Sequence, residues 1–222
     1  MGSSRSRACS TRMRFAELDA VTVDGYGTLV QLRDPVPLFS RQLSERGVDC
    51  SAEAVRAGFE AEVAYYRPNA FLGRDAESLA ALRLECTRIF LEAAGAELEP
   101  ASFVGAFMTS IVLEPIAGAV ETVRSLRARG LEVAVVSNWD IGLTEQLERL
   151  GLASLFTAIV TTAEAGAPKP DPAVFRLALE RLRVEAARTL HVGDEPGDEG
   201  GARAAGMRFA PAPLATAFEC WR

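Results

Sequence analysis

The feature that most constrains the fold is an alternation that runs through the second half of the chain. Short β-branched or apolar runs at 131–136, 159–162, 189–192 and 208–210 are separated by stretches with apolar residues at helical spacing. Ile116, Val120, Val123 and Leu126 make one such stripe, Leu143, Leu147 and Leu150 a second, and Val174, Leu177, Leu179 and Leu182 a third. Gly130 and Gly151 stand where the first two helices should end. A further strand, Ala20–Val23, opens the pattern from far upstream. Strands that alternate with helices build a parallel sheet with right-handed crossovers and helices on both faces. The expected fold class is therefore α/β, a doubly wound parallel sheet.

Between the opening strand and the alternation, the texture is helical only. Helices are expected near Pro37–Arg46, from an N-cap at Ser51 to about Tyr66 before Pro68, from Asp75 to about Ala94, and after Pro100. Leu79, Leu82, Ile89 and Phe90 give the third of these its stripe. The expected organisation is a tail at 1–14, a core made of 15–33 and 114–222, and an all-helical insert at 34–113. Met13 is a candidate natural start.

Bulk properties exclude several function classes. A net charge of −6 argues against a nucleic-acid backbone as partner. Cys9, Cys50, Cys86 and Cys220 are scattered without C-x-x-C spacing, and the chain has one histidine, so a zinc site is not expected and a reducing cytosol is the expected home. No apolar stretch is long enough to span a membrane, and the basic N-terminus has no apolar signal-peptide core. A cytoplasmic monomer or homodimer acting on a small molecule is the expectation.

The strand ends carry the chemistry. The first run stops at Asp24, with Gly25 and Gly27 forming a turn; the next enters Ser137–Asn138; a later one enters Gly193–Asp194, with Asp198 beyond. Ligands of open α/β sheets bind at the C-terminal ends of the strands, so these residues should share one rim. Composition adds a fourth group: 24 basic residues include a single lysine, Lys169. A chain that uses arginine wherever the two are interchangeable keeps lysine where a compact ammonium is required. Each residue also has an ordinary reading. Asp194 and Asp198 could cap the following helix, Ser137 and Asn138 could be turn residues, His191 belongs in an apolar strand, and Arg56 sits on a charged helix. Tyr65, Tyr66, Arg67 and Phe71 could line a pocket under the helical insert or pack against neighbouring helices. Asp140 should cap the helix that follows it.

DGYGTL, SN, KPDP and HVGDEPGDEGGARAAGM, in that order, resemble the four motifs of the haloacid dehalogenase-like (HAD) hydrolase superfamily across nearly the whole chain. The resemblance implies a Rossmannoid core with a helical cap inserted after the first motif. It implies Asp24 as nucleophile, Lys169 and Ser137 as its catalytic partners, and Mg²⁺ held by Asp24, the Tyr26 carbonyl, Asp194 and Asp198. Gly25, Tyr26, Thr28, Asn138 and Arg56 would bind substrate, with Thr28 also holding the nucleophile. Mg²⁺ suits such an oxygen-only set, and it relieves the repulsion between crowded carboxylates.

One position departs from the phosphatase pattern. Family phosphatases carry a second Asp two residues after the nucleophile, as acid and base. Here that place is Tyr26, whose phenol, with an ordinary pKa near 10, is a poor base at neutral pH. L-2-haloacid dehalogenases also have Tyr there, but they have Ser and Asn where this chain has Asp194 and Asp198. Phosphonate-cleaving relatives need a cap lysine, and Lys169 is the only lysine. The leading expectation is a Mg²⁺-dependent phosphatase of a small phosphorylated metabolite, working through an aspartyl-phosphate. The alternatives are a 2-haloacid dehalogenase using the same Asp, and a catalytically weakened ligand-binding protein.

Overall fold

The first strand, β1 (Ala20–Val23), is buried along its whole length, as a central strand covered on both faces must be. The structure, a computed structural model, describes residues 15–218. The expected tail, Met13, Cys9 and Cys220 lie outside the described residues. After β1 the chain turns into β2 (Val30–Leu32) and then enters α1 (Val36–Ser44), α2 (Ala52–Asn69), α3 (Ala76–Ala93) and α4 (Pro100–Ser110). It returns through β3 (Leu113–Pro115), which pairs antiparallel with β2. Then follow α5 (Ala119–Ala128), β4 (Glu132–Ser137), α6 (Leu143–Arg149), β5 (Ala158–Thr161), the short α7 (Thr162–Ala165), α8 (Ala173–Leu182), β6 (Thr189–Gly193), α9 (Pro196–Ala204) and β7 (Arg208–Pro211).

The sheet has strand order β5-β4-β1-β6-β7 and every pairing is parallel. The chain builds outward from β1 on one side through β4 and β5, then crosses to the other side for β6 and β7. That reversal leaves a crevice at the C-terminal ends of β1, β4 and β6. On one face Val21, Val23, Val133, Val135 and Val192 pack with Leu143 and Leu147. On the other, Val136 and Val160 pack with Val174, Phe175 and Ala202. The helices between β2 and β3 have a core of their own. Phe39, Phe90, Phe103 and Phe107 are fully buried there, with the Phe39 and Phe90 rings 4.3 Å apart. Burial of each such ring contributes roughly 1.5–3 kcal/mol.

Three local details differ from the sequence expectation. The β2–β3 ribbon was not anticipated, because each strand has three residues and its partner lies some 83 positions away. α2 runs past Pro68 to Asn69. Proline removes one helical hydrogen bond there, and the Asn69 side-chain amide donates to the Tyr65 carbonyl at 2.8 Å in the last turn. Asp140 is not the N-cap of α6, which starts only at Leu143. Its Oδ1 instead accepts from the Gly142 amide at 2.7 Å, and its Oδ2 from the Tyr66 hydroxyl at 2.8 Å.

Candidate active site

Asp24 follows β1 directly, and its amide donates to the Val192 carbonyl of β6 at 2.9 Å. That bond aims the side chain into the crevice. Gly25 and Gly27 are set by close approach as much as by the turn. A Cβ at Gly25 would lie 2.7 Å from the Ser137 hydroxyl, and one at Gly27, which has φ of 87°, would overlap the Asp194 carboxylate. Ser137 ends β4 and is buried.

Lys169 joins the acidic groups. Its Nζ is 2.5 Å from Asp24 Oδ1 and 2.5 Å from Asp198 Oδ1, and its side chain is 4% exposed. The Lys169 backbone amide donates to Asn138 Oδ1 at 2.9 Å, so Asn138 positions the lysine from the end of β4. Asp198 is wholly buried and fully engaged. Its Oδ1 also meets His191 Nε2 at 3.1 Å, and its Oδ2 accepts from the Glu195 amide at 3.0 Å as the first turn of α9 forms. His191, a core residue, is held on its other side by the Thr22 hydroxyl at 2.9 Å. The capping and site roles of Asp198 therefore coexist in one carboxylate. Asp194 is exposed and accepts from the Thr28 hydroxyl at 3.0 Å.

The carboxylate oxygens of Asp24, Asp194 and Asp198 come within 4.8 Å of one another. Burial pushes the Asp24 carboxyl up to about 7, against the pull of Lys169 and with the push of Asp198 and Asp194. Burial would also raise Asp198, but His191 and Lys169 outweigh it and hold it below the ordinary carboxylate range. Lys169 is disfavoured by burial, yet Asp24 and Asp198 keep it above its ordinary value. Three carboxylates and one ammonium leave an excess of two negative charges, which a divalent cation would balance. Hard oxygen donors at this spacing suit Mg²⁺.

Thr28 and Arg56 do not stand where expected. Thr28 bonds Asp194 and not the Asp24 carboxylate, so it orients an outer acid. Arg56 is exposed on α2 and is not part of the cavity wall. A cavity of 290 Å³ opens above Asp24, and Tyr26, Ser137, Asn138 and Lys169 line it. Its other walls come from the helical insert, including Tyr66 and Arg67 of the expected aromatic stretch but not Tyr65 or Phe71, and from Trp139, Asp140, Gln146 and Glu195 of the core. The cationic groups there are Arg67, which pairs with Glu195 at 3.6 Å, and Arg83. Glu62, Arg83 and Trp139 were not singled out in the sequence: Glu62 and Arg83 sit in helices with no motif around them, and Trp139 follows Ser137–Asn138 without being part of that motif.

Glu62 is 4% exposed, and burial raises it from 4.5 to about 7, although the Cys86 thiol beside it favours the charged form. Folding thus favours its protonated form. The contribution is complete below pH 4.5 and is lost as pH rises through about 7. Glu62→Gln is expected to gain up to about 3 kcal/mol over wild type at pH 8 and almost nothing at pH 4. Urea unfolding at the two pH values checks this, and an equal gain at both would contradict it.

The family model described as haloacid dehalogenase-like hydrolase matches residues 101–212. Haloacid dehalogenase-like hydrolase domain-containing protein 3 of Bos taurus is 32% identical over 213 residues, covering 89% of this chain and 84% of that one. A phosphoglycolate phosphatase of Cereibacter sphaeroides is 36% identical over 117 residues, about half of each chain (50% and 53%). Among solved structures, L-2-haloacid dehalogenase from Xanthobacter autotrophicus superposes with a TM-score of 0.62 at 26% identity, over 91% of this chain and 82% of that one.

Proposed function

Because the chain belongs to the haloacid dehalogenase-like hydrolases, we propose that it is a Mg²⁺-dependent phosphatase acting on a small phosphomonoester. The observation that carries this reading is the meeting of Asp24, Asp194 and Asp198, the first and last of them paired with Lys169, with an excess of negative charge suited to a divalent cation. Asp24 and Asp194, together with the Tyr26 carbonyl, are the groups we assign to the cation. Both oxygens of Asp198 are already engaged, so it supports the site through Lys169 and His191. When bound, the cation would draw charge from the phosphoryl oxygens and favour the ionised form of Asp24.

In the proposed reaction an Asp24 oxygen attacks phosphorus and the bond to the leaving oxygen breaks, leaving an aspartyl-phosphate. Ser137 and the amides after Asp24 hold the equatorial oxygens, and Lys169 balances the charge of Asp24 and the phosphoryl group. Water then attacks phosphorus, releasing phosphate and restoring the Asp24 carboxylate. Tyr26 puts a phenol where the family's phosphatases carry a second Asp, which favours substrates whose leaving group needs little protonation. The helical insert of residues 34–113 serves as a cap that closes over the core and excludes water.

Tyr26 gives the dehalogenase reading its support. The same Asp24 would attack carbon and expel halide, a leaving group that needs no acid. The two readings separate on one panel of phosphomonoesters and 2-haloacids, with and without a chelator. Phosphate release that a chelator stops and excess Mg²⁺ restores is the expected result. Halide release indifferent to the chelator would replace this reading with the dehalogenase one. Activity on neither, with phosphorylated compounds still raising thermal stability, would point to a ligand-binding protein.

A further inference from the structure

The cavity wall contributed by the helical insert holds one buried donor with nothing to donate to, and beside it a buried acid. Tyr66 donates to Asp140, Asp140 is also bonded to Gly142, and Arg67 pairs with Glu195. Arg83 on α3 is different: its Nε is buried without a hydrogen-bond partner. Glu62 on α2 has only the Cys86 thiol beside it. Glu62 and Tyr66 are one turn apart on α2, and Arg83 and Cys86 one turn apart on α3, so the two helices present these groups to one space. Around them the wall is apolar, with Phe59, Val63, Leu82, Phe107 and Met108. A buried guanidinium N–H without an acceptor is costly, and an ionised oxygen is the acceptor that repays it best.

We propose that Arg83 and Glu62 form a carboxylate-binding subsite, so that the substrate is the phosphomonoester of a small carboxylic acid. The substrate statement rests on the phosphatase reading; the subsite does not. A carboxylate fits better than a second phosphate. Arg83 also offsets the nearby Asp140 carboxylate, so the charge left for a ligand is small, and with a neutral Glu62 it suits the single charge and two oxygens of a carboxylate better than a phosphate dianion. Burial keeps Glu62 protonated up to about pH 7, so it acts as a second donor and does not repel the anion. Cys86 touches Glu62, while Tyr66, Arg67, Arg83 and Asp140 share the same wall.

The test begins with binding. The Mg²⁺-loaded full chain is titrated with propionate, with 1-propanol and with inorganic phosphate, followed calorimetrically. Propionate is expected to bind at least about tenfold tighter than 1-propanol, and Arg83→Gln to remove that advantage while phosphate binding stays within about twofold. Wild-type affinity for propionate should fall between pH 6 and pH 8, and Glu62→Gln should bind at pH 8 as wild type does at pH 6. On the kinetic side, Arg83→Gln should raise KM for phosphoglycolate about tenfold over its effect on ethyl phosphate, with kcat little changed. Propionate binding no better than 1-propanol, or equal loss of propionate and phosphate in Arg83→Gln, overturns the subsite. Absence of turnover on every phosphomonoester, with propionate binding intact, defeats the phosphatase reading alone.

Discussion

Asp24→Asn is expected to leave a folded protein whose turnover has dropped at least about a thousandfold, in kcat more than in KM. The amide has nearly the shape of the carboxylate, so the turn through Gly25 and Gly27 and the bond from the Asp24 amide to Val192 survive. What is lost is the anionic oxygen that forms the new bond. Stability should move the other way. Burial pushes the Asp24 carboxyl up to about 7, which means that its charge opposes folding above that pH in the absence of a cation. With chelator at pH 8, the thermal midpoint of Asp24→Asn should equal or exceed that of wild type. A variant that kept more than about a tenth of wild-type turnover would place the nucleophile elsewhere.

Lys169→Met should lose activity and stability together. The ammonium is 2.5 Å from each of two buried carboxylates. Removing it leaves Asp24 facing Asp198 in a site of low polarity, at a cost of about 3–5 kcal/mol. The two orphaned acids can escape by binding protons, so the cost should be large at pH 8 and shrink toward pH 5. Lys169→Arg should not rescue turnover. A planar fork cannot occupy the space of a single Nζ placed at hydrogen-bond distance from two separate acids, one of them also bonded to His191. Urea unfolding at the two pH values, beside phosphate release, checks both variants. A stability loss below about 1 kcal/mol at pH 8 would mean that the three charges are not coupled as their distances imply.

Much of this site was legible as isolated signals. Lys169 stood out because it is alone among 24 basic residues. Asp24, Ser137 and Asp194 stood out because apolar runs stopped at them. Their partners did not. Thr28 was expected on the nucleophile and is found on Asp194. Arg56 was expected to face the substrate and is exposed on α2, whereas Arg83, with no motif to mark it, lines the cavity. Helical spacing says which residues share a face, not which face meets the cavity.

The alternation of apolar runs and helical stripes was enough to determine a parallel α/β core, because strand period and helix period are local properties of the chain. It also determined which residues sit at strand ends. The tertiary structure decided what those ends do to one another: which carboxylates share Lys169, that Asp198 spends both oxygens on neighbours, and that α2 and α3 bring Glu62 and Arg83 over the cavity. Hydrogen bonds and charge interactions act between atoms a few ångströms apart. Residues 29 and 145 positions apart in the chain reach that range only once the sheet has formed.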